Sequence, residues 1–172
     1  SGGWVSGDRI MTVAFLPLFI AFFVTAAALS FVLRAWPRAV GLGGAALAAL
    51  SALWLWSLDF SRPFWLFPNG VMLDLTAPVT RFGYTFRLQE ANAPILAMNL
   101  AIAATALLLA ARTTADHSFP AVTWLMLAGY NLLALMVAGP IAPALATPIL
   151  LVMLTAVSVF ALQGHRNGSA TG

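Results

Sequence analysis

Apolar residues form five long runs along the chain, and short gaps that carry arginine or proline separate most of these runs. The runs are Met11 to Leu33, Ala39 to Leu58, Ala93 to Ala111, Phe119 to Ala138 and Thr147 to Leu162. A helix needs about 20 apolar residues to cross the ~30 Å hydrocarbon core of a bilayer, because each residue adds ~1.5 Å. The last run is short and would borrow residues from its flanks. The pattern predicts an all-α integral membrane protein, a single membrane domain over residues 1–172 with five transmembrane helices.

The long gap over residues 59–92 has the composition of a loop that contains strands. Ser61 to Gly70 holds two prolines and an Asn-Gly pair, which favour turns. Val71 to Thr76 predicts a first strand, residues 77–80 a turn, and Arg81 to Leu88 a second strand in which apolar and polar positions alternate. The alternating apolar side chains are Phe82, Tyr84, Phe86 and Leu88. We expect a short β-hairpin whose apolar face lies on the helices or on a neighbouring subunit.

The second predicted helix carries a row of small residues spaced three and four positions apart. These residues are Gly41, Gly44, Ala45, Ala48, Ala49 and Ala52. Small side chains let two helix backbones approach closely within a membrane. The row therefore predicts a packing face, which favours contact with another helix of the same chain. A dimer or subunit interface is the alternative.

Composition limits both the solvent and the partners of the chain. Hydrophobic residues make up 62% of the sequence and charged residues only 8%, whereas soluble domains carry ~25% charged residues. The chain therefore has too few polar residues to cover a soluble core. The eight basic residues are all arginines that stand singly at the ends of apolar runs, so we expect no nucleic-acid binding. Cysteine is absent, which excludes disulfides and thiolate metal sites.

The positions of the arginines predict the orientation, because short loops that carry arginine stay on the cytoplasmic side. One side collects Arg34, Arg38, Arg112 and Arg166, whereas the other side holds residues 59–92, where arginines and acids are mixed. We therefore expect the N-terminus outside, the C-terminus in the cytoplasm and the long loop outside. The first apolar run exceeds the ~7 to 15 residues of a signal-peptide core, so we expect a retained helix.

Ionisable side chains are missing from the middle of every predicted span. Ion pumps and proton-coupled transporters usually place such groups inside the membrane, so their absence argues against autonomous pumping. Asn99 and Asn131 are the amides within the spans, and they lie at similar depth when counted from the same side. We predict an interhelical hydrogen bond between them. Contact with a polar ligand or a quinone is the alternative.

The remaining polar residues predict no catalytic or metal site. Asp116, His117 and Ser118 have the residue types of a hydrolase triad, but sequence neighbours cannot converge on one point. We interpret them as a solvated loop. His117 and His165 are too few and too isolated for a metal or haem site. We therefore expect no enzymatic activity, no metal and no cofactor.

Three segments together carry a family resemblance: Phe15 to Ala21, Arg34 to Arg38 and Arg81 to Leu88. They resemble, in this order, the first helix, the basic turn and the outward glycine-aromatic segment of a known family. That family comprises the antiporter-like, proton-translocating membrane subunits of respiratory complex I and of related multisubunit sodium/proton antiporters. Its members carry a key glutamate in the fifth helix and lysines in later helices. Val152 stands at the glutamate position here, and the chain has no lysine.

The resemblance implies a truncated relative that keeps the scaffold and lacks the groups that carry protons. We expect a non-catalytic accessory subunit of a complex I-like or antiporter-like assembly in an energy-transducing membrane, such as the bacterial inner membrane. Its expected partners are other integral membrane subunits, which would carry out proton transport in the respiratory chain, and lipids. The alternative is a small homo-oligomeric transporter or channel with a polar path at Asn99 and Asn131.

Overall fold

The computed structural model describes residues 11–62, 64–67, 70–112 and 117–139, which form four helices and six short strands. The helices are α1 (Phe15–Val32), α2 (Pro37–Trp56), α3 (Ala93–Arg112) and α4 (Phe119–Leu135). The strands are β1 (Met11–Ala14), β2 (Phe64–Phe67), β3 (Val71–Asp74), β4 (Val79–Arg81), β5 (Tyr84–Phe86) and β6 (Met136–Ala138). By length and composition, α1, α2 and α3 can each cross a membrane, and α4 is a shorter apolar helix. The predicted fifth helix, Thr147 to Leu162, lies outside the described residues.

The four helices pack in the order α2, α3, α4, α1. The contact between α2 and α3 is the most extensive, followed by that between α1 and α4 and that between α3 and α4. A short turn joins α1 to α2, yet these two helices barely touch. Helices joined by a short turn usually pack as an antiparallel pair, so the separation of α1 from α2 needs a cause in the packing around them.

Apolar side chains fill the interior and also cover the outer surface of the helices. The interior contains Phe23 and Trp124, each only 1% exposed, with their ring centroids 5.9 Å apart. On the outside, Leu50, Leu53 and Met98 are each about two-thirds exposed. A helix that is apolar on all sides is typical of a membrane span, because lipid hydrocarbon solvates an apolar outer surface that water solvates poorly.

All six strands lie at one end of the helices, which we call the strand end. β1 precedes α1, β2 to β5 connect α2 to α3, and β6 follows α4. One sheet has the order β1-β3-β2, with β1 parallel to β3, and the other has the order β4-β5-β6. The opposite end, which we call the turn end, contains the α1–α2 turn, the end of α3 and the start of α4.

The strand pairing at the strand end differs from the predicted hairpin. Val71–Asp74 pairs with β1 and β2, not with the segment after Arg81. The hairpin is instead β4 with β5, and Phe82 and Gly83 form its turn at φ values of 54° and 79°. Phe82 therefore lies outside the strand to which the alternating pattern assigned it. The physical reason is that Gly83 adopts a positive φ at no steric cost, which lets the chain reverse inside the apolar-polar alternation.

The predicted first and fourth helices are longer than α1 and α4 of the structure. The first begins at Phe15 because Met11–Ala14 pairs with β3, and the fourth ends at Leu135 because Met136–Ala138 pairs with β5. A short apolar segment suits a buried strand as well as a helix, so the sequence pattern does not distinguish them. The second helix begins at Pro37, where the fixed φ of proline suits a first turn, and not at Ala39. The third spans Ala93–Arg112, against a predicted end at Ala111.

Candidate functional site: the buried amides and their surroundings

The structure brings Asn99 of α3 and Asn131 of α4 into contact. The Nδ2 group of Asn99 donates a hydrogen bond of 2.9 Å to Oδ1 of Asn131. Asn131 is completely buried, whereas Asn99 is half-buried. Interhelical hydrogen bonds of this kind contribute on average ~0.6 kcal/mol in a membrane protein. The bond fixes the height of α3 relative to α4, which is a structural role.

Two buried polar groups of α4 have no hydrogen-bond partner among the described residues. They are Nδ2 of Asn131 and the hydroxyl of Tyr130, its neighbour in α4. A buried group without a partner costs ~1 to 3 kcal/mol. The site therefore holds spare donors, which an acceptor from another segment or molecule would satisfy. An amide does not titrate, so Asn99 and Asn131 cannot pass protons by themselves.

Charged side chains lie at the ends of the described helices. Within these helices the charged residues are Arg38, the second residue of α2, and Arg112, the last residue of α3. The acids of the described residues, Asp59, Asp74 and Glu90, all lie at the strand end. The described helix middles are thus without a carboxylate or an arginine that could carry a proton or an ion.

Asp59 belongs to a small polar turn just after α2. The hydroxyl and the backbone N–H of Ser61 both donate to its carboxylate, the latter at 2.9 Å, and Arg62 Nε lies 3.7 Å from it. These interactions, led by the Ser61 hydroxyl, lower the pKa of Asp59 below 3.8. The carboxylate is exposed, so this turn is a solvated structure and no candidate for proton transfer.

The described residues contain no group of three His, Asp or Glu side chains that could hold a metal ion. His117 is exposed at the turn end, directly before α4. Asp116, His165 and Val152, which the sequence analysis singled out, lie outside the described residues.

The row of small residues on α2 packs against α3 of the same chain. Its buried members are Gly41, Ala45, Ala48 and Ala52. A Cβ atom at Gly41 would lie 2.7 Å from Cβ of Ala111, so only glycine permits this approach of the two helices. Gly44 lies beside Leu107, where a Cβ would come within 3.3 Å of Cδ1.

Ala49 is the member of the predicted row that the structure places elsewhere. It is exposed on the outer surface of α2, so it takes no part in the contact with α3, and its place in a subunit interface stays a prediction. The reason is geometric, because successive residues of a helix are turned by about 100°. Ala48 points to α3 and is fully buried, and the next residue therefore points away from α3.

The predicted apolar face of the hairpin separates into two parts. Tyr84 and Phe86 are half-buried and Leu88 is 1% exposed, whereas Phe82 at the turn is 96% exposed. A Cβ atom at Gly139 would overlap the ring of Tyr84, so the hairpin rests closely on the segment after α4. Three of the four predicted side chains thus pack on the same chain, Phe86 and Leu88 at the core and Tyr84 on the segment after α4.

Asn92 is a structural residue that the sequence analysis did not identify. Its Oδ1 accepts a hydrogen bond of 2.7 Å from Gln89 N–H, and its Nδ2 donates to the Arg87 carbonyl at 2.8 Å and to the Ala134 carbonyl at 3.4 Å. The side chain thereby joins the loop before α3 to the end of α4. Its position directly before an Ala-Pro helix start was the available signal, since asparagine is common there.

The geometry assigns the strongest polar features of the described residues to helix packing and loop closure. Comparison of the chain with family models, with curated proteins and with solved structures finds no match. The resemblance to the antiporter-like subunits therefore stays a prediction that rests on the sequence pattern.

Proposed function

We propose that this chain is a non-catalytic integral membrane subunit that holds other membrane subunits in a larger assembly. The observation that supports this most is the distribution of charge, because Arg38 and Arg112 are the charged residues within the described helices and both lie at helix ends. Such helices can pack against other subunits and anchor them in the membrane, but they offer no charged side chain that would bind a proton or an ion. A fifth span over Thr147 to Leu162 and an N-terminus on the outer side belong to the same proposal.

The outer surfaces of the helices support a role in assembly. Leu50 and Leu53 of α2 and Met98 and Ile102 of α3 are large, apolar and more than half exposed. In a membrane these side chains face lipid or another helix, and both environments suit them. The small-residue row of α2 is already occupied by α3, so a partner subunit would contact these larger side chains.

We further propose that the assembly is a bioenergetic complex of the complex I or antiporter type. The resemblance of Phe15 to Ala21, Arg34 to Arg38 and Arg81 to Leu88 to the antiporter-like subunits supports a bioenergetic complex. In such a complex the proton-carrying glutamate and lysines would belong to other polypeptides. The chain itself would supply scaffold, in an energy-transducing membrane.

The test is the identity of what copurifies with the chain. We expect gentle detergent extraction from cells that produce it natively to yield a complex with other integral membrane proteins. The chain has no cysteine, so single variants Leu53→Cys and Ala48→Cys allow a matched cross-linking experiment. We expect Leu53→Cys, which is exposed, to cross-link to a partner, and Ala48→Cys, which is buried against α3, to give none. A stable monomer with no cross-linked partner would contradict the proposal.

A homo-oligomeric transporter remains the second candidate, and the spare donors of Tyr130 and Asn131 favour it. In that case each chain of the oligomer would contribute a polar path that passes Asn99 and Asn131. Flux in reconstituted vesicles that disappears in the Asn99→Leu, Asn131→Leu double variant would support this candidate. The absence of flux with the unmodified chain would remove it.

A further inference from the structure

An open apolar groove lies between the second half of α1 and the first half of α2. Its volume is about 210 Å³, and Leu29 and Leu33 line one wall while Gly43 and Leu47 line the other. Trp124 of α4 forms the floor. The groove is closed at the turn end by the α1–α2 turn, and Trp36 of that turn stands at its rim with 69% of its surface exposed.

Trp124 is the cause of the gap between α1 and α2. Its ring contacts Phe22 of α1 edge-on at 5.9 Å, and on the other side a Cβ atom at Gly44 of α2 would lie 3.5 Å from its Nε1. The indole thus stands between the two helices and keeps them apart. Above it, a Cβ atom at Gly43 would meet no described atom within 4 Å. The groove is therefore a consequence of the way Trp124 packs.

The lining of the groove selects the kind of molecule that binds in it. Its walls are formed mainly by leucine, alanine, valine and glycine residues of α1 and α2. A narrow, flexible hydrocarbon chain can enter, and the apolar walls suit it.

The charge around the closed end of the groove selects the headgroup. Arg34 in the turn and Arg38 at the start of α2 are exposed, and neither forms an ion pair with a described residue. The Arg34 guanidinium lies 4.7 Å above the ring of Phe31. The described residues of the turn end include no acid, whereas those of the strand end include all the acids that the structure describes. Basic sites between membrane helices bind anionic lipid headgroups.

We propose that the groove between α1 and α2 holds an acyl chain of an anionic phospholipid whose headgroup lies over the α1–α2 turn. The phosphate would be within reach of the flexible side chains of Arg34 and Arg38, and the exposed indole of Trp36 would lie at headgroup level, where indoles are enriched. This inference depends on the membrane location of the helices and not on the scaffold function. A chain that acts as a transporter would carry the same lipid site.

The test is native mass spectrometry of the full chain in detergent, titrated with phosphatidylglycerol or phosphatidylcholine of identical acyl chains. We expect phosphatidylglycerol to bind more tightly by about five-fold for each contributing arginine. An Arg34→Gln, Arg38→Gln double variant should bind both lipids equally. Arg81→Gln removes the same charge at the strand end and should leave the preference intact. Equal binding of the two lipids to the unmodified chain would overturn the proposal.

The groove itself is tested by filling it. Gly43→Leu places a side chain where no described atom lies within 4 Å of the new Cβ atom, and we expect it to lower the binding of both lipids by at least about ten-fold. Ala49→Leu adds similar apolar volume to an exposed position outside the groove and should change nothing. Unchanged lipid binding in a folded Gly43→Leu variant would overturn the proposal, as would cross-linking of Gly43→Cys to a second polypeptide in native membranes. Arg34 and Arg38 are both exposed, so the arginine variant leaves the core unchanged and decides the question if Gly43→Leu does not fold.

Discussion

Helix α2 packs closely against α3, whereas a groove separates it from α1. Toward α3 it packs so closely that Gly41 has no room for a methyl group beside Ala111. Toward α1 it leaves a groove in which Gly43 faces no described atom within 4 Å. The two glycines are two residues apart and look alike in sequence. The comparison shows that a small-residue row indicates where close packing is allowed, while the neighbouring large side chains decide where it occurs.

Trp124 is buried between α1 and α2 and fills a large part of the core, so its removal should have the largest effect. It is 1% exposed and contacts the aromatic rings of Phe22 and Phe23. We expect Trp124→Ala to lower the free energy of unfolding by ~3 to 5 kcal/mol, because it opens a large cavity in the core. Unfolding by increasing sodium dodecyl sulfate in mixed micelles, followed by circular dichroism, measures this change. Trp36→Ala removes an exposed indole and should cost less than ~0.5 kcal/mol; equal losses would contradict the assigned role of Trp124.

A matched pair of glycine substitutions tests the comparison directly. Gly41→Ala should destabilise the chain by ~1 to 3 kcal/mol, because the new Cβ atom would meet Cβ of Ala111 and the backbone of α3. Gly43→Ala should stabilise it by ~0.5 to 1 kcal/mol, since alanine favours the helix and the space is free. The same unfolding titration measures both. Effects of equal sign would show that α2 does not distinguish its two neighbours in this way.

The amide pair tests a third contact, that between α3 and α4. In a double-mutant cycle with Asn99→Leu and Asn131→Leu, we expect a coupling energy near ~0.6 kcal/mol and at most ~1.7 kcal/mol. Asn131→Leu also removes an Nδ2 group that has no described partner, so its single-variant loss should be small. A pair of Phe82→Ala and Asn99→Leu provides the additive control, because Phe82 is 96% exposed at the hairpin turn. Zero coupling between Asn99 and Asn131 would indicate that their hydrogen bond contributes nothing in the micelle.

The sequence predicted the positions of the described helices well in the middle of the chain and less well at its ends. The bounds of α2 and α3 differ from the predicted bounds by two residues or fewer. The errors occur where an apolar run extends into a strand, at Met11–Ala14 and at Met136–Ala138. Both strands pair with distant segments, and a pattern of apolar residues does not contain this information. Pairing partners depend on the three-dimensional arrangement of the loops.

The candidate site was predictable only where a simple geometric rule applied. Counting depth from one side placed Asn99 and Asn131 at the same level, and the structure has them in hydrogen-bond contact. The closing role of Asn92 depends on the carbonyl of Ala134, which is far away in sequence. The groove between α1 and α2 depends on Trp124, which belongs to neither helix. Both features depend on a residue from another part of the chain, and the order of residues along the chain does not show which distant residue that is.

The smallest predicted effect lies at the strand end, away from both helix contacts. Ser61 and then Arg62 lower the pKa of Asp59 below the unfolded value of 3.8, so ionised Asp59 stabilises the folded chain. This contribution is complete above the unfolded pKa and disappears as the pH falls through the lower folded pKa. The difference in unfolding midpoint between the unmodified chain and Asp59→Asn should therefore be present at neutral pH and vanish in acid. The Gly41→Ala loss is steric and should persist over the same pH range, so a parallel decline of both would point to general acid unfolding instead of the Asp59 turn.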